Sequence, residues 1–226
     1  MKCLKAVFLI IFICNAFPCH AQSIKELEKK YGIQISTNHE EAFEKMQIYS
    51  LHLTAVSSHQ RKIMISLLSE SLKCYKPSVL KRNLKKIYLV NNIYAGKYEI
   101  AGTYSAEKKI IVLAAWKRLG YFFHHEFSSL LLLQDSGFKE RWIKYNKLPY
   151  LHESDFSNMK SSHSLRKAGF YYDYSQVSFE EDFNVLAGML LVNPRGTEQK
   201  SARYSRILKK IAIIKRFYKN IFICSL

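Results

Sequence analysis

His125 and Glu126, in the stretch HHEFSSLLLLQ from His124 to Gln134, are the residues whose types and spacing are best suited to chemistry. Two histidines four residues apart on one helix face can hold a single Zn2+ between their imidazoles. A glutamate directly after the first then acts as general base on a metal-bound water. Here the first two places are filled, and the place of the second imidazole holds Ser129. His124 does not restore the spacing, because its own i+4 neighbour is Ser128 and it leaves the helix about 100° away from His125. A serine hydroxyl is a poor zinc ligand, so this helix alone supplies one ordinary ligand.

The same residues have a purely structural reading. His125 would then be a core histidine with a hydrogen-bond partner, and Ser128 and Ser129 would be small residues that let helices approach, their hydroxyls bonded to i−4 carbonyls. Glu126 lies within GYFFHHEFSSLLLL, an apolar run in which a carboxylate is costly unless it is paired. A metal site, a histidine or an arginine would supply that pairing.

The elements that must position these residues can be read from periodicity. Ser23 to Tyr31 reads as a short helix opened by a serine cap, and two more helical candidates lie within Ala42 to Leu72. Lys86–Val90, Tyr98–Tyr104 and Lys109–Ala114 are short β-branched and aromatic runs separated by turn-forming segments, which predicts antiparallel strands. Trp116 to Gln134 reads as the helix carrying His125. After a turn-rich stretch, the basic, serine-rich NMKSSHSLRK reads as an exposed loop. A second helix begins at Ser178, where Glu181 three residues on makes a capping box, and runs to Asn193-Pro194. The segment ILKKIAIIKRFYKNIFI, with basic and apolar residues alternating at helical spacing, predicts a terminal amphipathic helix.

The first 21 residues read as a secretory signal. Lys2 and Lys5 precede an apolar run from Ala6 to Ala16, and cleavage is expected after Ala21. Lipid anchoring through Cys19 is the competing reading. Residues 22–226 then form one domain of the periplasm or cell envelope, or a secreted one. Cys74 and Cys224 are the cysteines of that domain and can pair in an oxidising compartment. The 226-residue chain has a formal net charge of +17, concentrated toward the C-terminus at Lys209, Lys210, Lys215, Arg216 and Lys219. A solvated helix face accounts for it, and peripheral contact with an anionic envelope surface is the functional alternative. An exported chain without a recognised nucleic-acid motif is not expected to bind nucleic acid.

Two separated segments match one pattern. HHEFSSLLL, followed well downstream by AGFYYDYSQVSFEEDFNVLAGML, resembles the exported zinc-binding metallopeptidases of Bacteroidetes, whose helix reads HEFxHxL and whose later segment runs GF, YA, then EDFAE. Gly169-Phe170, Tyr174-Ser175 and Glu181-Asp182-Phe183-Asn184 stand in the later places, and FKERWIKYN, Phe138 to Asn146, is similar to the family's linker. The resemblance covers residues 85–195 and implies an α+β, zincin-like domain with a small, mostly antiparallel sheet. It implies zinc as cofactor, His125 and Glu181 as metal ligands with Asp182 a rival to Glu181, and Glu126 as catalytic base. Ser129 departs from the pattern, and so does the absence of the family's later glutamate near Asn184 and Val185.

His124, His152 and His163 are the histidines available to replace the missing ligand, and Tyr172 or Tyr174 would help polarise a carbonyl. The implied function is zinc-dependent peptide hydrolysis. The alternative is a catalytically inactive, metallopeptidase-like protein that binds an envelope component through the old cleft.

Overall fold

The computed structural model describes residues 23–46, 51–133, 137–151 and 162–223. The expected signal segment, His152 and Cys224 lie outside the described residues. The N-terminal half builds the sheets. α1 (Ile24–Tyr31) starts with a full capping box, in which the Ser23 hydroxyl accepts from Glu26 N and Glu26 Oε2 accepts from Ser23 N. It is followed by β1 (Gln34–Ser36), α2 (His39–Met46), β2 (Leu51–Leu53), α3 (Ser58–Leu72) and α4 (Pro77–Asn83). Strands β3 (Lys86–Val90), β4 (Ile93–Ala95), β5 (Tyr98–Ile100), β6 (Gly102–Ser105) and β7 (Ile110–Ala114) come next.

The larger sheet has the order β1-β3-β7-β6. β3 pairs in parallel with β1 and β7, and β6 runs antiparallel to β7 at the edge. The smaller sheet, β2-β4-β5, is antiparallel throughout. Three of the five ladders are therefore antiparallel, as expected of the sheet as a whole, while the runs Lys86–Val90 and Ile110–Ala114 prove to be parallel neighbours. The reason lies in their composition. Ile87, Leu89, Ile111 and Leu113 face the helical core, whereas Tyr88, Val90, Val112 and Ala114 face a second core formed with α2 and the small sheet. Strands buried on both faces are apolar at every position, which is the signature of central parallel strands.

The C-terminal half covers one face of the large sheet. α5 (Leu119–Leu132) carries the His125 segment, and α6 (Phe138–Ile143) follows. α7 (Ser162–Ala168) occupies part of the stretch expected to be a loop. A 3-10 turn at Tyr174–Gln176 leads into α8 (Phe179–Val192), α9 (Pro194–Ser201) and α10 (Ser205–Tyr218). Ser178 caps α8 by accepting from Glu181 N, and Pro194 ends that helix and opens α9. No helix among the described residues is long and apolar enough to cross a membrane.

The α10 stripe of Ile207, Ile211, Ile214 and Tyr218 packs into the core as its periodicity predicted. Lys210 breaks that reading. It is fully buried, with its Nζ 2.5 Å from Asp182 Oδ2 and 2.7 Å from the Gly169 carbonyl. The same Asp182 oxygen also accepts from Trp142 Nε1, Asn146 Nδ2 and Tyr150 OH. Four donors thus converge on Asp182 in the first turn of α8 and fix its rotation. Lys215 pairs with Glu198, so two of the five basic residues noted in this segment are held within the molecule.

Burial pushes the Asp182 pKa up and the Lys210 pKa down to about 8, and their mutual attraction opposes both shifts. Asp182→Ala should therefore lower unfolding stability by roughly 3–5 kcal/mol, because it strands a buried ammonium. Lys210→Met should lower it by less, since three neutral donors still satisfy a carboxyl that burial already inclines to hold its proton. Denaturant titration of both variants checks this ordering.

Candidate functional site

The sequence of α5 is apolar nearly all round, and the helix is buried on both sides, from Phe123 to Leu132 without a break. Each polar side chain on it must therefore find a partner. His124 and Ser128 share one face. Tyr75 OH lies 2.8 Å from His124 Nδ1, and the Ser128 hydroxyl bonds the His124 carbonyl and sits 2.6 Å from Tyr218 OH. Burial lowers the His124 pKa to about 3, so the ring is neutral and accepts the tyrosine proton. His124 is thus an anchor between the helix and the remainder of the core, and the Ser128 reading as a packing residue bonded to its i−4 carbonyl holds.

His125, Glu126 and Ser129 face the other way, into a cleft of about 450 Å³ between α5, β6 and the start of α8. α8 contributes Glu180 and Glu181. The structure thus brings together the three residues predicted from sequence. His125 Nε2 lies 3.0 Å from Glu181 Oε2, a close charge contact without the alignment of a hydrogen bond. Asp182, the rival to Glu181, points to the opposite side of α8 and belongs to the Lys210 cluster. Glu181 also explains why the α8 cap is half a capping box: its backbone N–H bonds Ser178 while its side chain is directed at His125.

Three features of the cleft were not legible as site residues. Glu180 lines the cleft and accepts from Tyr104 OH at 2.7 Å. Asn184 Nδ2 donates to Ser129 Oγ at 2.7 Å, both residues being buried. Gly102, on edge strand β6, lets the Glu126 carboxylate approach, since a Cβ there would lie 2.8 Å from Glu126 Oε1. The Glu180 and Glu181 pair in EEDF, one turn before Asn184, was the available signal for the first two. Tyr174 lines the cleft, its ring 6.4 Å from His125, whereas Tyr172 packs on Tyr171. His163 is exposed beside Tyr204 and replaces nothing.

Burial opposes charge on His125, but Glu181, Glu126 and Glu180 outweigh it and hold the imidazole pKa above its ordinary value. Burial pushes the Glu126 pKa up to about 7, against the pull of His125 and with the repulsion of Glu181 and Glu180. Glu126 has no arginine partner among the described residues. His125 and Glu181 are suitably placed to be two ligands of one ion, but among the described residues no third ligand converges with them. The third place is a neutral serine–asparagine hydrogen bond. His125 Nδ1 is buried without the outer acceptor that usually orients a ligating ring. Among the described residues no three His, Cys, Asp or Glu side chains converge on a common ion. These residues do not fit a three-ligand catalytic zinc.

The chain is thus an α+β domain in which the buried helix bearing His125 and Glu126 is set against an antiparallel edge strand and a carboxylate-bearing helix. No family model matches the sequence, and no curated protein matches it. The crystal structure of a "putative zinc-binding metallo-peptidase" from Bacteroides caccae ATCC 43185 is similar, with 15% sequence identity and a TM-score of 0.55 over 87% of this chain and 82% of that one. At that identity the likeness shows a shared fold.

Glu126 also sets a pH dependence. Its folded pKa of about 7 is above the ordinary 4.5, so its contribution to stability is fully present below pH 4.5 and is lost as pH rises through 7. Glu126→Gln removes that loss, and its stability relative to the parent should climb across this window by up to about 3 kcal/mol. Unfolding titrations at a series of pH values check this, and a difference that does not change with pH contradicts it.

Proposed function

We propose that this chain is an exported protein of metallopeptidase-like fold whose cleft binds a peptide without zinc-dependent hydrolysis. The observation that carries the reading is the Ser129–Asn184 hydrogen bond, which fills the place of the second imidazole with a neutral, hydrogen-bonded pair. Binding of an extended peptide is supported by β6. Among the described residues this strand pairs only with β7, which leaves its outer backbone edge without a strand partner there, and Gly102, Thr103 and Tyr104 line the cleft beside His125 and Glu126. An added strand is the ordinary way an open sheet edge receives a peptide.

A second reading has one observation in its favour. The 3.0 Å approach of His125 Nε2 to Glu181 Oε2 suits two ligands of one ion, so a zinc peptidase with Glu126 as general base is the alternative. Elemental analysis of the chain, purified without chelator or metal-binding tag, separates the two. The expected result is zinc far below one per chain, unchanged in His125→Ala. A stoichiometric ion lost in that variant overturns the proposal in favour of the peptidase.

Restoring the missing ligand is the complementary test. Ser129→His together with Asn184→Ala, which makes room for the ring, should gain zinc that the parent lacks. The same elemental analysis reads it.

A further inference from the structure

The cleft carries negative charge in a chain that is otherwise basic. Of the 35 lysines and arginines, none among the described residues lines it, while Glu126, Glu180 and Glu181 all do. Glu181 faces His125, and Glu180 is held by Tyr104. Glu126 has neither a hydrogen bond nor an ion pair within the hydrogen-bonding or salt-bridge geometry of the described residues, although it is only 8% exposed. A buried carboxylate without such a partner is costly, and it lies against Gly102 at the wall of an open cleft.

Aromatic rings form much of the remaining lining. Trp116 and Phe122 meet edge to face at 5.5 Å, Tyr121 and Phe122 at 5.0 Å, and the Tyr121 ring is 6.0 Å from that of His125. Trp116 is 39% exposed and Tyr174 is 51% exposed, so both keep ring surface available to a ligand. Carboxylates combined with open aromatic faces suit a flat or alkylated cation, which gains from charge and from the ring quadrupoles at once.

We infer that the cleft recognises an organic cation, a guanidinium or ammonium carried on a peptide, with Glu126 and Glu180 facing its charge and Trp116 and Tyr174 its flanks. Among the residues that line the cleft only His125 can bring positive charge to Glu126, and the bound cation adds to it. This deepens the peptide-binding reading above and rests on it for the peptide nature of the ligand.

The test is calorimetric titration of the zinc-free parent protein with N-acetylarginine methylamide and with the corresponding citrulline amide, which keeps the shape and removes the charge. The arginine probe is expected to bind at least about tenfold more tightly than citrulline, with the preference reduced by a similar factor in Glu126→Gln. Glu180→Gln, at a half-buried position, gives a second reading should the first variant fold poorly, and Trp116→Ala should weaken the arginine probe by several-fold. Equal affinity for the two probes, binding of neither, or a preference untouched by both glutamate variants overturns the inference. Zinc content measured on the same preparation keeps the two claims apart. Stoichiometric zinc with intact arginine preference removes only the proposed lack of hydrolysis, and absent zinc with no preference removes only the cation.

Discussion

The structure depends on burying α5 on both of its faces. A helix apolar all round must be enclosed, and every polar side chain it carries then has to be matched inside the protein. Apart from Glu126, which finds no such match, the buried polar residues of α5 form two i, i+4 pairs on different faces. His124 and Ser128 are matched by Tyr75 and Tyr218, which tie the helix to the segment after α3 and to α10. His125 and Ser129 are matched by Glu181 and Asn184, both on α8. One face is thereby made structural, and the other becomes the floor of a cleft.

The second face works only because α8 is held at one rotation. Asp182 turns away from the cleft to meet Lys210, Trp142, Asn146 and Tyr150, and its neighbour Glu181 is thereby aimed at His125. A buried ion pair of this kind is weak as a source of stability, since desolvation offsets most of the attraction, but it has strong directional demands. Its position one residue from the cleft carboxylate makes it a positioning device for the site. Edge strand β6 closes the arrangement, with Gly102 admitting the Glu126 side chain where a larger residue would collide with it.

Much of the architecture was legible from local pattern. The α1 and α8 caps, the strand Lys86–Val90 and the amphipathic α10 all follow from short-range signals, and each forms where those signals place it. Misreadings occurred where long-range context governed. The run Tyr98–Tyr104 divides at Ala101 into strands that join different sheets, and β3 and β7 lie parallel. Pairing direction depends on what covers both faces of a strand, and no window of a few residues contains that information. Lys210 looks in sequence like part of a solvated face, because its spacing relative to Lys209 resembles any other basic pair; only the placement of Asp182 makes it a core residue.

Residue types and spacing by themselves set His125 beside Glu126 on one helix and showed that the second imidazole of the motif was missing, whereas a carboxylate near residue 181 entered only through the resemblance to the metallopeptidase pattern. They could not assign Glu181 over Asp182 or His125 over His124, because neighbouring side chains on a helix diverge by about 100° and the helix's rotation is set by what packs around it. Tertiary structure made both choices, through the Lys210 cluster on one helix and Tyr75 on the other. It also revealed what occupies the vacant ligand position, since Asn184 reaches Ser129 only when two segments far apart in the chain are packed face to face.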